Sequence, residues 1–331
     1  MIVNDPTETH GLVVRELTMA DRAAMIELFN EVFAPNTMTP ELWDWKYAEG
    51  RGIGVGAWSH DRLVGHYGGV FRDILVFGKL KRGVQVTDAM VHPSERARFS
   101  KRGAYFLTGS TFLARHVGDR GTAWIGFGFP HDRVYRLMKL LGLGTSVGEI
   151  VELYWRPGSP QLSARALPDY LPATEFAQQR RAIDRLGERM ANDLRQAVLG
   201  VRDAEYFRHR FAMHPTLVYH VVILRSRFFR IPVAMAVVRE EPECLKIIDV
   251  FGELSWANEL VAAVRRAAFE MGGRAVSMWI SRHLAGEFDS ASNAELRELG
   301  VCVPHNTWSA GCPPEFVANK WFLMAGDTDF L

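Results

Sequence analysis

The stretch Val84 to Phe106 reads VQVTDAMVHPSERARFSKRGAYF, and it changes period in its middle. Val84, Val86 and Val91 are β-branched and favour a strand, whereas Phe106, Leu107, Leu113, Ala114 and Val117 fall at helical spacing. The stretch therefore predicts a strand that stops at His92-Pro93 and a helix that starts near Arg102-Gly103. The turn between them is basic, with Arg96, Arg98, Lys101 and Arg102 set against Glu95. A helix start presents unpaired backbone N–H groups and a partial positive charge, which beside these cations suits a phosphate or pyrophosphate. A solvated basic loop is the plainer alternative for the same residues.

Working outward, Leu12 to Leu17 predicts a first strand, and Thr18 caps a helix from Met19 to Phe33. Pro40 to Ala48 predicts a short helix with proline at its first position; its Trp43 and Trp45 suit a core, or else a substrate cleft. Gly54 to Ser59, Leu63 to Phe71, Ile74 to Phe77 and Val84 to His92 predict an antiparallel meander. The helix Arg102 to His116 follows, then a strand Thr122 to Phe127, a break at Gly128-Phe129-Pro130, and a helix Arg133 to Leu141 with Gly142 as its C-cap. This is an α+β order with one parallel crossover, across the anion-binding helix.

The second half repeats that order after a proline-rich segment. Pro157 to Pro172 predicts a linker and Glu175 to Leu199 a long amphipathic helix. From Asp203 the pattern predicts a helix to Met213 and strands Leu217 to Leu224, Ile231 to Arg239 and Leu245 to Val250. A helix Trp256 to Met271, a strand Ala275 to Ile280, a helix near Asn293 to Leu299 and strands near Val301 and Trp321 complete it. The repeat suggests a tandem pair, with a first module at 1–156, a linker and helix at 157–200 and a second module at 201–331. The second strand-to-helix junction, DVFGELSWANEL, lacks the basic turn.

Composition narrows the classes of function. With 331 residues, 48% hydrophobic and 23% charged, the chain has material for two well-cored domains. A net charge of +1 argues against a general nucleic-acid or membrane-surface binder and confines any basic site to a local one. Cys244, Cys302 and Cys312 form no CxxC pair, which points away from a zinc knuckle or a disulfide framework and toward reduced thiols in the cytoplasm. No apolar run approaches the length of a membrane span, and the N-terminus has no signal-like pattern.

The phrase DAMVHPSERARFSKRGAYF, followed by WIGFGFPHDRVYRLMKLLGLG, resembles the acetyl-coenzyme A binding half of a GNAT-superfamily N-acyltransferase. More narrowly, it is similar to a bacterial two-module branch often associated with surface polysaccharide synthesis. That branch has a strand ending in VHP, an arginine turn, a GFP after the next strand and a C-terminal GDTDF. The resemblance implies an α+β fold of tandem GNAT-like modules, each a mixed, mostly antiparallel twisted sheet flanked by helices. It also implies a cytoplasmic acyl-CoA-dependent N-acetyltransferase that moves an acetyl group from acetyl-CoA to a primary amine of a small acceptor, an amino sugar or a nucleotide-linked amino sugar. By the family pattern the backbone of Met90 and Val91 would pair with the pantetheine arm. The turn carrying Arg96, Arg98, Lys101 and Arg102 would hold the pyrophosphate, with Gly103 and Ala104 small enough for close approach.

The departures define the remaining candidates. The small-residue positions of the usual phosphate turn fall on Phe99 and Lys101, so the loop is longer than usual. The usual acid tyrosine position holds Met138; Tyr135, three residues earlier, and His131 are the candidate proton donors to the thiolate. The glutamate of histone-type relatives is replaced by Gln85, which leaves Asp88, whose parity places it on the opposite face from Gln85, and His66 or His92 as candidate bases. Asp327 and Asp329 of the terminal turn could face an amine. The resemblance implies a small-molecule partner, no nucleic acid, no membrane and no metal, and it leaves room for a homo-oligomer. An aminoacyl or peptidyl transferase acting on a cell-wall precursor, and a non-catalytic CoA- or partner-binding module, are the alternatives.

Overall fold

The computed structural model describes residues 7–96, 100–162, 165–290 and 293–330. They form two compact units. Unit 1 comprises 1–72, 81–147 and 302–316; unit 2 comprises 73–80, 148–301 and 317–331.

In unit 1 the strands β1 (Thr7–Thr9), β2 (Leu12–Glu16), β3 (Gly52–Ser59), β4 (Arg62–Val76), β5 (Lys79–Val91) and β6 (Ile125–Phe127) lie in sequence order across one sheet. Helices α1 (Arg22–Phe33) and α2 (Pro40–Tyr47) stand between β2 and β3, α3 (Ala104–His116) links β5 to β6, and α4 (Asp132–Leu140) follows β6. The β2–β3 and β3–β4 pairs are antiparallel and the β5–β6 pair is parallel, so the crossover occurs as the sequence predicts, while two of the expected meander strands are one. Two apolar clusters hold the helices. Phe106, Phe112 and Leu113 of α3 pack with Val55, Ala57, Tyr67 and Val84. Met25, Leu28, Trp43 and Tyr47 of α1 and α2 pack with Leu63 and Met90, which makes Trp43 a core residue. The expected break at Arg72-Asp73 does not occur; β4 runs through it. Its Phe71 lies under the Arg82 guanidinium of β5 at 4.0 Å, an interaction that favours continued extension.

In unit 2 one seven-stranded sheet has the order β14-β7-β13-β12-β11-β10-β8. Its strands are β7 (Gly144–Trp155), β8 (Ala166–Pro172), β10 (His220–Ser226), β11 (Pro232–Glu240), β12 (Cys244–Gly252), β13 (Ala275–Ser281) and β14 (Glu295–Asn306), with 144–147 and 302–306 assigned to unit 1. The β12–β13 pair is parallel, and β8–β10, β10–β11, β11–β12 and β13–β7 are antiparallel. Helices α5 (Ala173–Phe176), α6 (Arg180–Asp193), α7 (Ala204–Phe207), α8 (Ala257–Glu270), α9 (Ala285–Phe288) and α10 (Pro314–Val317), and the short parallel pair β9 (Val198–Gly200) and β15 (Trp321–Phe322), complete the chain.

Four sequence expectations differ here. The proline-rich segment is not all linker: β8 is an edge strand, where Pro168 opposite Leu224 and Pro172 opposite His220 cost no ladder bond on the open side. The long helix at 175–199 is interrupted into α5 and α6. The helix expected near Asn293–Leu299 is the start of β14, whose buried Val301, Val303 and His305 alternate at the strand period. Strand β7 had no counterpart in the sequence reading. Helix-favouring Glu, Leu and Arg at 295–298 gave way to tertiary pairing.

Candidate active site

The register of β5 with β6 runs from Gly83↔Ile125 to Gln85↔Phe127. There β6 ends, and Gly128-Phe129-Pro130 carries the chain to α4, while β5 continues to Val91. The parallel ladder thus ends at Phe127, and β5 runs on beyond it.

Beyond Val91 the chain makes a 3-10 turn, Pro93–Glu95, capped by His92, whose Nδ1 accepts from the Ser94 N–H at 3.2 Å. His92 Nε2 also lies 3.3 Å from Glu31, so this imidazole holds the turn in place. Arg96 is exposed and its Nε donates to the Val91 carbonyl at 3.1 Å. Lys101 and Arg102 are exposed, and the Lys101 ammonium sits 5.9 Å from the Phe106 ring. Arg98 lies outside the described residues.

Gly103 is the N-cap of α3 in extended conformation, with no side-chain cap among the described residues. Its helix start is buried against the sheet through small residues: a Cβ on Gly65 would stand 2.9 Å from the Ala104 Cβ. Only a glycine opposite an alanine lets α3 approach β4 this closely. Exposed cations and uncapped first-turn N–H groups therefore follow the end of β5 in the chain.

The strand is bent within itself. Asp88 has φ +49°, in the left-handed region where Asp is tolerated at a cost. Its neighbours change face across it: Val84, Val86, Ala89 and Val91 pack with the α3 cluster, and Met90 with the α1–α2 cluster. Simple alternation would put Gln85 and Asp88 on opposite faces; the kink instead turns Asp88 toward α2, the face of Gln85 and Met90.

There the Asp88 carboxylate accepts from Lys46 Nζ at 3.0 and 3.2 Å and from the Tyr47 hydroxyl at 2.6 Å. The Lys46 and Asp88 side chains are 4% and 6% exposed, so this is a buried pair, closed against bulk water. His66, on β4, donates from Nδ1 to the Asp88 carbonyl at 2.7 Å, which assigns its proton to Nδ1. Burial lowers the His66 pKa, partly opposed by that bond and by the Asp88 charge. Lys46, Tyr47 and His66 thus surround the one strained residue of β5. The sequence reading named His66 but missed Lys46 and Tyr47; the polar pair ending an otherwise aromatic helix, WDWKY, was the available signal.

The proton-donor candidates lie on α4. His131 is its exposed N-cap and Tyr135 is half-buried against the α3 cluster, with its N–H bonded to the His131 carbonyl at 3.0 Å. Met138 is buried. Tyr105, in the first turn of α3, and Tyr67, on β4, stand edge to face at 6.0 Å; burial pushes the Tyr105 hydroxyl up to about 12 and raises that of Tyr67 well above its ordinary value, so both stay protonated. Among the described residues no three His, Cys, Asp or Glu side chains gather as metal ligands.

Unit 2 has a corresponding junction with a different filling. Its parallel pair runs from Cys244↔Ala275 to Ile247↔Met278. Farther along, Ile280 bridges to Met324, the Ser281 N–H donates to the Leu323 carbonyl at 3.1 Å, and a Cβ on Gly326 would stand 2.8 Å from Asp249. The chain's own segment 321–329 lies where β12 and β13 part. Asp327 and Asp329 are turned inward, 1% and 8% exposed, rather than toward an acceptor. Asp327 pairs with Arg202 at 2.7 Å, and Arg210 donates to the Gly326 and Thr328 carbonyls at 3.2 and 3.0 Å.

Residues 13–101 match the family described as an acetyltransferase (GNAT) domain. Solved structures similar to the chain include a probable N-acyltransferase from Enterococcus faecalis, at TM-score 0.69 and 10% identity, with 89% of this chain and 72% of that one covered. A GCN5-related N-acetyltransferase from Kribbella flavida aligns at TM-score 0.57 and 14% identity, covering 90% and 71%. Saccharomyces cerevisiae N-myristoyltransferase with bound myristoyl-CoA aligns at TM-score 0.55 and 13% identity, covering 94% and 87%. No curated protein sequence matches significantly. The family match thus lies in the first part of the chain, and the likeness to these structures shows their fold over most of it.

Proposed function

We propose that unit 1 takes acetyl-CoA as donor and passes its acetyl group to the primary amine of a small acceptor, an amino sugar or nucleotide-linked amino sugar. The observation that carries the donor site is the end of the β5–β6 ladder together with an uncapped helix start that the exposed Arg96, Lys101 and Arg102 precede in the chain. The end of β5 at Met90 and Val91 suits the amide-bearing pantetheine arm, which would take the Val91 carbonyl from Arg96, and the start of α3 at Gly103 and Ala104 suits the pyrophosphate. In unit 2 the chain's own segment 321–329 occupies the corresponding strand ends, so one donor binds per chain.

In this reading the amine nitrogen attacks the thioester carbonyl, the C–N bond forms, and the C–S bond breaks with loss of coenzyme A. The leaving thiolate takes its proton from Tyr135 or His131 on α4, and the amine sheds its proton to water. Asp88 is engaged by Lys46 and Tyr47, so it serves to orient groups on the acceptor side and not as a free base. Positioning then supplies most of the rate.

The test is thermal unfolding with acetyl-CoA, desulfo-CoA and adenosine diphosphate, beside a thiol-release assay over an amine panel. Binding to the native state raises the midpoint by mass action. The expected result is a rise with acetyl-CoA that K101A/R102A removes, together with thiol release on an amino sugar. A rise without thiol release on any amine favours a CoA-binding module; no rise at saturation overturns the donor assignment.

A further inference from the structure

The hairpin joining β10 to β11 ends in Arg225-Ser226-Arg227-Phe228-Phe229-Arg230-Ile231. Hairpin tips of water-soluble domains favour Asn, Asp and Gly, because nothing packs there. Here Phe228 and Phe229 are 89% and 81% exposed, the two most exposed large apolar side chains among the described residues. Ile231 and Leu167 are exposed beside them, at 45% and 40%. The loop is held in shape by its backbone: the Arg230 N–H bonds the Ser226 carbonyl and the Ser226 N–H the Ile231 carbonyl, both at 2.9 Å. Arg230 sits at φ +55° to close the turn. The Arg227 N–H, at 3.2 Å from the Arg165 carbonyl, ties the start of the loop to the segment entering β8.

Charge completes the pattern. No Asp or Glu occurs between Glu205 and Glu240, a span that includes Arg225, Arg227 and Arg230. The nearby acids are already engaged: Asp169 pairs with Arg225 at 2.5 Å and Glu259 with Arg165 at 3.3 Å. Two phenylalanines at the apex with arginines one residue behind them on each side match the layering of a bilayer interface. Aromatic rings enter the acyl boundary there, and guanidinium groups meet the phosphates. The whole-chain charge of +1 speaks against general adsorption and leaves this local feature intact.

We propose that the β10–β11 tip docks the protein on an anionic bilayer, with Phe228 and Phe229 inserted at the interface and Arg227 and Arg230 on lipid phosphates. No described helix is long and apolar enough to cross a membrane, so the attachment is peripheral and reversible. This proposal is independent of the acyl-transfer reading.

The experiment is co-sedimentation of the full chain with extruded phosphatidylcholine vesicles, with and without about a third phosphatidylglycerol. The expected result is at least about tenfold more protein bound to the anionic vesicles, falling as salt is raised. F228S/F229S lowers that binding about tenfold or more, with an unchanged unfolding midpoint, since both side chains lie outside the core. R227Q/R230Q retains the apolar tip and loses the preference for anionic over neutral lipid. Equal binding to both vesicle types, or anionic binding unchanged in F228S/F229S, overturns the proposal. So does self-association without lipid, seen by sedimentation velocity and abolished by F228S/F229S, which assigns the tip to contact between copies.

Discussion

Asp88 and Asp249 occupy the same station in two strands. Each lies three residues before its strand ends, at Val91 and Gly252, and each strand is followed by a 3-10 turn and a helix. Each carboxylate accepts from a tyrosine on the helix before the meander, Tyr47 at 2.6 Å and Tyr206 at 2.8 Å. Each also binds a buried cation, Lys46 at 3.0 Å and Arg202 at 2.9 Å. The two modules therefore repeat an anchor as well as an order of elements.

Removing one partner of such an anchor leaves the other charge stranded. K46M should destabilise unit 1 by about 3 kcal/mol or more, and K46M/D88N should recover part of the loss, because the pair costs desolvation that an uncharged pair avoids. Urea unfolding of the single and double variants measures both. A single variant within error of the parent would show that the pair is open to water.

In unit 2 the comparable change is D327A. It strips Arg202 of one of two carboxylates and frees segment 321–329 from its seat. A loss of about 3 to 5 kcal/mol is expected, with proteolysis near Trp321 as the local readout.

The Arg15 fork on Asp21, at 2.7 and 2.8 Å, lowers that carboxyl to about 2, helped by the Thr18 backbone N–H. A depressed carboxyl stabilises the fold above its unfolded value of about 3.9, and the contribution is lost as pH falls through about 2. Stability should therefore drop by up to roughly 2 kcal/mol between about pH 4 and pH 2. R15M should flatten that part of the profile.

His66 works with the opposite sign. Its pKa is lowered chiefly by burial, so as pH falls through about 6.5 the unfolded chain takes up a proton before the native one does. Stability is retained above that value and declines below it. Imidazole nitrogen NMR should show the neutral Nδ1–H form at pH 7, and H66N should remove the decline in the region of pH 6.

G65V tests the close approach of α3 to the sheet. With Ala104 Cβ only 2.9 Å from the position of a new Cβ, the helix start must move. A cost of about 1 to 3 kcal/mol is expected. Acetyl-CoA binding should fall more than the stability loss explains, read by calorimetry at a temperature where the variant is folded.

Much of the frame was legible because it depends on local periodicity. The β5 stretch, its basic turn and α3 follow from residue spacing alone, as does the parallel crossover. What escaped notice depended on partners remote in sequence. Strand β7 is flanked by the central β13 and by β14, and Glu295–Glu298 became strand although its residues favour helix. At the candidate site, Asp88 was visible as the nearest carboxylate, but Lys46 and Tyr47, about forty positions away, were not; alternation also misplaced Asp88, because a single positive φ reverses the count. The inward turn of Asp327 likewise required Arg202, distant in the chain.

The discontinuity of unit 1 bears on synthesis. Residues 302–316 belong to it: Ser309 Oγ donates to the Val117 carbonyl at 2.5 Å, the Asp119 N–H bonds the Ala310 carbonyl at 2.9 Å, and Trp308 meets Phe106 edge-on at 5.3 Å. A nascent chain that has emerged as far as residue 156 still lacks the strap that fastens the far end of α3, and it bears β7 without its sheet. The two modules cannot mature one after the other, and a fragment cut at the proline-rich segment would carry an unmatched strand and an unlatched helix, the makings of aggregation.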